Sequence, residues 1–568
     1  MQITINGKKI TAVEGKTILE VAQMNGIDIP SLCYHSDLKT KASCRLCLVS
    51  IKGQKGLQTA CSTFVTPEMD ILTESPEINQ TRKTNLELIF AHYKKSLGSW
   101  DLNPELLRLA KKYQIDAQRF SDRKKHFPKY QFGPAISFDT SKCIDCRNCV
   151  EVCHQQAVDF FEVKEKENFF QVTPSQDKKV DCIYCGQCVV HCPVAALSAK
   201  ADFDQVEKAL KQKGNKVIFQ FAPSIRTSIG EEFNLPYGEV VTEKIVGAIK
   251  ALGAYKVFDT SVGADFTSTE EAKELIEKIE ANQGACLSSC CSAWVKYVEF
   301  FYPEFVHCLA TTRSPQAILG GLIKTYFAKK DKVNPKKIVV VSIMPCTAKK
   351  YEINRKELQI NGMKPVDYVL TTREFAYLLR KRSIDLRCVK PMKADDPLGL
   401  PTGGGVIYGA SGGVAESALR SAYLMMTKNN LPKIEFTEVR GMRGVKKTVI
   451  NMGGRQIKMA VINGIGNAKV ILEEMKKDPK AYDAVEVMAC PGGCVGGGGQ
   501  PVPTDGEIRS KRAAGLYEID AKKEERIAHL NPVVKEVYRD YLTDEKIIKK
   551  ICHTVYQAKK RENNFKNL

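Results

Sequence analysis

Eight cysteines between residues 143 and 192 fall into two runs of one spacing: Cys143, Cys146, Cys149 and Cys153, then Cys182, Cys185, Cys188 and Cys192. Thiolates this close on a tight loop turn their sulfurs toward one centre, which suits an iron–sulfur core. Most of the chain's 21 cysteines are clustered in the same way. Cys33, Cys44, Cys47 and Cys61 form a further set, with ten residues in the first gap and two in the second. Three later segments each carry cysteine: Ser288-Ser289-Cys290-Cys291-Ser292-Ala293-Trp294, then Met344-Pro345-Cys346-Thr347-Ala348-Lys349, then Cys490-Pro491-Gly492-Gly493-Cys494 followed by four glycines, Gln500 and Pro501. Cys291, Cys346, Cys490 and Cys494 together make four thiolates, enough for another cluster, and the glycines would let backbone approach a bulky inorganic group. Clustering of this kind points to soft-metal ligation ahead of disulfides. A structural zinc site is the alternative for Cys33–Cys61. A buried structural cysteine is the alternative for each later segment taken alone.

The two regular runs are similar to the signature of bacterial two-cluster ferredoxins, in which the fourth cysteine of each run crosses to the other cluster. That resemblance implies one [4Fe-4S] cluster on Cys143, Cys146, Cys149 and Cys192, and a second on Cys182, Cys185, Cys188 and Cys153. His154 stands where the motif usually has proline, which alters the turn and removes no ligand. The set Cys33, Cys44, Cys47, Cys61 resembles the plant-type [2Fe-2S] ferredoxins in plan, with a first gap longer than their usual four.

The three later segments, in this order, resemble the signature segments of the [FeFe]-hydrogenases, and the resemblance covers residues 1–78 and 136–568. It implies an H-cluster, a [4Fe-4S] cubane joined through a cysteine to a di-iron unit with CO, cyanide and an amine dithiolate bridge. By motif match Cys291, Cys346, Cys490 and Cys494 hold the cubane, and Cys494 is the bridge. Ser224 with Pro223, the Ser314-Pro315-Gln316 segment, Met344 and Met488 are implied to wall the di-iron unit, and Lys349 to supply charge. Cys290 matches the proton-passing thiol. Glu271 and Glu274, three apart on one helix face, match with Glu352 the glutamates of the proton relay. The implied activity is reversible H2 oxidation and proton reduction in a cytoplasmic anaerobic metabolism. Electrons would pass through one [2Fe-2S] and two accessory [4Fe-4S] clusters to ferredoxin or a similar small acidic carrier. Proteins that mature the di-iron cofactor are implied as partners. An H2 sensor, or a non-catalytic iron–sulfur protein of the same fold, is the alternative reading.

Three departures stand out. The longest members carry, after the [2Fe-2S] unit, an extra cluster held by one histidine and three cysteines. Here His92 has no cysteine near it between Cys61 and Cys143, which would leave the [2Fe-2S] centre without a stepping stone. Ser292 replaces a proline, which would free a backbone N–H and loosen the loop. Ala310 stands where the relay has a serine, so a water or Thr311 must bridge the gap. Cys286, Cys308, Cys388 and Cys552 are left over and expected buried and inert, with Cys286 flagged as a redox-active neighbour of Cys290.

The elements that must position these residues are multidomain, α+β and α/β. Residues 1–78 read as a β-grasp [2Fe-2S] ferredoxin-like domain, with a hairpin of Gln2–Ile5 and Lys9–Val13 and a helix capped by Thr17. Residues 79–135 read as a helical spacer without cluster ligands, 136–200 as the 2[4Fe-4S] ferredoxin-like domain, and 201–568 as a large α/β domain ending in helices. Gly464–Lys469 reads as a strand-to-helix turn rather than a dinucleotide fingerprint. No apolar run is long enough to span a bilayer, and the N-terminus lacks the pattern of an export signal. The net charge of +20 is spread along helix faces. It fits a solvated basic surface or long-range attraction of an acidic protein, with no nucleic acid and no membrane as partner.

Overall fold

The computed structural model describes residues 1–93, 103–166, 169–429, 431, 433–561 and 565–567. The N-terminal unit is a five-stranded sheet of β1 (Gln2–Ile5), β2 (Lys8–Thr11), β3 (Leu48–Ile51), β4 (Gln58–Thr59) and β5 (Asp70–Leu72), in the order β2-β1-β5-β3-β4. Asn6 and Gly7 both take positive φ, the geometry that a two-residue hairpin turn demands. The helix Ile18–Met24 carries a capping box between Thr17 and Glu20 and buries Ile18, Leu19, Val21 and Ala22 on the sheet. The second hairpin strand ends before the exposed Val13.

The expected spacer is built into this unit. From the helix Pro76–Phe90, the fully buried Arg82 donates to the carbonyls of Leu46 and Leu48, on either side of Cys47. The helix thus braces the loop that presents the Cys44–Cys47 pair. The part of the expected helix that falls in 94–97 lies outside the described residues.

The next sheet runs β10-β7-β6-β19, all antiparallel, from β6 (Lys129–Phe132), β7 (Ile136–Asp139), β10 (Leu197–Ala199) and β19 (Phe565–Asn567). A hairpin of β8 (Phe161–Lys166) and β9 (Phe169–Pro174) stands beside it. This sheet crosses the expected divisions at both ends: β6 comes from the spacer and β19 from the C-terminal end of the chain.

Two sheets form the large domain. One is wholly parallel, β12-β11-β14-β15, from β11 (Lys216–Phe221), β12 (Lys256–Asp259), β14 (Ile338–Met344) and β15 (Tyr368–Thr371). The other is β13-β18-β17-β16, from β13 (Cys286–Leu287), β16 (Val445–Met452), β17 (Arg455–Asn463) and β18 (Ala484–Met488), with only β16 antiparallel. The chemistry-bearing segments leave the carboxyl ends of these parallel strands: Ala222-Pro223-Ser224 after β11, Cys346 after β14, Cys290 and Cys291 after β13, Cys490 after β18. Parallel strands send their connections out at one end, so distant segments meet in one crevice. Gly464, at φ +81, turns β17 into the helix Ile465–Lys477, as its neighbours predict. No helix among the described residues is long and apolar enough to cross a membrane.

Candidate active site

A buried cavity lies at that crevice. Its wall includes the four thiols Cys291, Cys346, Cys490 and Cys494, with Cys290 and Lys349 beside them. Pro223, Pro315, Met344 and Met488 add apolar lining, and Ser224 and Gln316 add polar groups. None of the thiols is in a disulfide, and burial pushes Cys346 up to about 12, with Cys291 as its charged neighbour. Four unpaired, mutually close thiols in a dry pocket suit a soft metal cluster, which would hold them as thiolates. The Gln316 side chain adds a buried Oε1 with no protein partner. The donor set and the orphaned amide oxygen fit a bulky inorganic group in this space.

The glycines after Cys494 have a different reason from the expected one. A Cβ on Gly497 would run into the Pro345 carbonyl, and one on Gly498 would stand 2.5 Å from the Cys185 carbonyl. They let three backbone segments stack, which brings the Cys185 loop against the cavity. Thr347 Oγ1 donates to Tyr184 O and Gln187 Nε2 to Gly496 O, closing the same contact.

The other cysteines line up toward this point. Burial and the neighbouring Cys192 push Cys143 up to about 11, and Cys192 is a charged neighbour of Cys146 too. Cys185 and Cys153 are the corresponding neighbours of Cys182. The second set neighbours the cavity, since Cys185 is close to Cys291 and Cys490. Cys149 neighbours Cys188, linking the first set to the second. At the far end, Cys33 packs in the same core as Cys146 and is its charged neighbour. The set containing Cys33 therefore shares a core with the run containing Cys146. Two polar contacts cross this junction, the Asp37 carboxylate facing the buried His191 and Lys39 N donating to Glu151, while Asp37 also takes a forked bond from Arg509 of the large domain. His92 is held instead by Asp122, at 2.9 Å.

Two carboxylate networks flank the cavity. Glu352 receives Lys349 Nζ at 2.9 and 3.0 Å, Ser292 Oγ at 2.7 Å, Ser314 Oγ at 2.8 Å and Gln316 Nε2 at 2.9 Å. Burial raises its pKa, but the Lys349 charge and these donors more than offset that, so the carboxyl is held low. Lys349 also donates to Cys290 O at 3.0 Å. Ser292 therefore ties the loop to Glu352 through its hydroxyl. Ser314 lies one step behind the cavity wall, capping the helix Pro315–Leu322 while it holds Glu352.

Glu271 and Glu274 lie three residues apart on the helix Thr260–Glu280, Glu271 buried and Glu274 on the side of an outer cleft, apart from Glu352. Burial, with Glu274 and Glu486 nearby, raises Glu271 to about 8, and its Oε1 has no protein partner. It lies near Cys290, whose buried thiol is pushed well up by burial. A cavity of about 40 Å³ lies against Ala310, lined also by Glu271, Cys286, Ser288 and Glu486. That is room for water among polar partners. Thr311 lies beyond Glu274, donating to it from N at 2.9 Å and Oγ1 at 2.7 Å; it does not bridge back to Glu271. Sequence reasoning missed Tyr408, which lines the main cavity and is bonded to Ser268, and also Glu486 and His553. None lies in the three signature segments, so no motif spacing marks them. Of the leftover cysteines, Cys286 and Cys552 are buried as expected, whereas Cys308 is half-buried and Cys388 is exposed.

A family model for the C-terminal domain of the iron only hydrogenase large subunit matches residues 215–498. Models of a 2Fe-2S iron-sulfur cluster binding domain, a 4Fe-4S dicluster domain and the iron hydrogenase small subunit match 1–76, 142–196 and 506–559. The chain is 37% identical over 561 residues to the NADP-reducing hydrogenase subunit HndD of Solidesulfovibrio fructosivorans, covering 95% of this chain and 96% of that one. It is 36% identical over 553 residues to iron hydrogenase 1 of Clostridium pasteurianum, with the same coverage. A solved apo [FeFe]-hydrogenase variant from Chlamydomonas reinhardtii superposes with a TM-score of 0.56 at 34% identity, covering 62% of this chain and 98% of that one.

Proposed function

The chain belongs to the iron-only ([FeFe]) hydrogenases, and from that premise we propose how its own residues divide the work of the reaction. It catalyses the reversible oxidation of H2, using [2Fe-2S] and [4Fe-4S] clusters and an H-cluster. The observation that carries the residue assignment is the convergence of Cys291, Cys346, Cys490 and Cys494 on one buried cavity, with Cys290 and Lys349 on its wall. These four thiolates would hold the cubane, with Cys494 bridging to the di-iron unit. When bound, the H-cluster supplies the iron site at which H2 is split or formed.

Lys349, held by Glu352, places a fixed positive charge beside the pocket, and the Met344 and Met488 side chains exclude water from it. Cys290 passes a proton between the pocket and Glu271, which its raised pKa keeps protonated at neutral pH. Water in the Ala310 cavity carries the proton on to Glu274. Electrons would pass from Cys33, Cys44, Cys47 and Cys61, through the set Cys143, Cys146, Cys149, Cys192, to the set Cys182, Cys185, Cys188, Cys153. The domain units 1–78, 79–135, 136–200 and 201–568 fit this order, with β6 and β19 stitching them together. The charge of +20 favours an acidic ferredoxin-like electron carrier. The di-iron unit would come from dedicated maturation proteins, and the reaction would take place in the cytoplasm.

The test is hydrogen evolution from dithionite-reduced methyl viologen by anaerobic protein loaded with synthetic di-iron cofactor, with an infrared spectrum of its CO and cyanide bands. Bands with turnover are expected. Intact iron–sulfur clusters without bands after loading would defeat the cavity assignment.

A further inference from the structure

His553 belongs to the C-terminal segment, far in sequence from every group assigned above, yet it holds the outer end of the acid pair. Its Nδ1 lies 3.0 Å from Glu274 Oε1, and its Nε2 lies 2.9 Å from Glu270 Oε2. Thr311 Oγ1 is 2.8 Å from the same Nδ1. The side chain is 17% exposed and forms the wall of an open cleft together with Glu270, Glu274 and Thr311. Glu271 lines the inner cavity and not this cleft. Backbone contacts fix the imidazole in place: Arg313 Nε donates to His553 O at 2.7 Å, and Thr554 N donates to Thr311 O at 2.8 Å.

We propose that His553 is the proton-exchanging terminus of the relay, the group through which Glu274 trades protons with water in the cleft. This rests on the hydrogenase reading. In the direction of H2 formation, the imidazolium gives its Nδ1 proton to the Glu274 carboxylate. The N–H bond breaks, an O–H bond forms, and neutral imidazole and carboxylic acid result. A hydronium ion or buffer acid in the cleft then returns a proton to Nδ1. H2 oxidation runs the same exchange backwards, with a cleft water or buffer base as acceptor.

The surroundings favour a charged imidazole. Glu270, Lys273, Glu274 and Glu277 face the cleft from the helix Thr260–Glu280. Glu545 and Lys549 face it from the C-terminal helix, with Arg313 and Glu357 from the intervening loops. Tyr538 donates to Glu270 from behind. Burial lowers the His553 pKa, but hydrogen bonds and charge from Glu270 and Glu274 outweigh it and raise the group to about 9. The imidazolium is thus loaded at neutral pH and is lost as pH rises through about 9.

Two measurements test this. The first is an infrared pH titration of isotope-labelled histidine ring modes, in protein carrying its iron–sulfur clusters but no di-iron unit. Subtraction of the H553Q spectrum isolates His553. A midpoint near 9 is expected, and an ordinary histidine midpoint would overturn the proposal. The second compares H553A and H553Q in loaded protein whose CO and cyanide bands match the parent. Turnover should fall at least about tenfold in both, with the alkaline limb of the pH profile removed, and added imidazole should restore H553A. H553Q keeps a hydrogen-bonding side chain, so full activity in H553Q, or no rescue of H553A by imidazole, would show a purely structural role and overturn the proposal. An inactive parent protein would count against the hydrogenase reading instead, while the titration would still judge His553.

Discussion

Glu352 and Glu271 are both buried glutamates on walls of the same domain, at 6% and 5% exposure, yet their environments push them opposite ways. Glu352 has a lysine and three neutral donors around two oxygens. Glu271 has no lysine or arginine beside it, two acidic neighbours and an oxygen left bare. The first is a fixed anion that anchors Lys349. The second is a carboxylic acid near neutral pH, able to give and regain a proton. Burial alone does not make a proton carrier; the number of donors and the sign of the neighbouring charge decide.

The comparison breaks most visibly at Glu352. E352A leaves the Lys349 ammonium buried without its counter-charge and should cost about 3–5 kcal/mol, read as a lowered unfolding midpoint and poor cofactor loading. A similarly large loss in E271A would erase the distinction between the two acids. E271Q should keep the CO and cyanide bands and lose about a hundredfold in turnover. Its stability should respond to pH in a defined sense. Glu271 binds its proton more tightly folded than unfolded, because burial raises its pKa from 4.5 to about 8. Its contribution therefore falls as pH rises through that window and is flat above it, and E271Q should flatten the slope measured by unfolding at several pH values. S292A removes one charge-assisted donor from Glu352 and should cost about 2 kcal/mol, with little change in the pH profile. The smallest effect is expected at Ala310: A310S should change turnover by less than about threefold, because a bridging water is nearly as good as a direct hydrogen bond. A large rise would show that the cavity is a bottleneck.

Much of this was legible in the residues. The hairpin at Asn6-Gly7, the Thr17 cap and the turn at Gly464 all follow from local conformational preference. The reading of Ser292 rested on the local backbone that a missing proline frees, and it did not reach the bond of the serine hydroxyl to Glu352 sixty residues away. The spacer reading of 79–135 missed Arg82 for the same reason: its partners, the Leu46 and Leu48 carbonyls, belong to another element.

Sequence alone determined the thiol sets and their order, since ligands two or three residues apart are brought together by the covalent chain whatever surrounds them. Tertiary structure decided which sets are neighbours, placing Cys33 in one core with Cys146 and Cys185 on the cavity that Cys291 lines. It also decided which acid is ringed by donors and which is not, and that the Glu274 carboxylate meets a histidine at position 553. Those outcomes depend on packing between segments far apart in the chain, where burial and the charge of the nearest neighbour set the energy, and no local spacing encodes either.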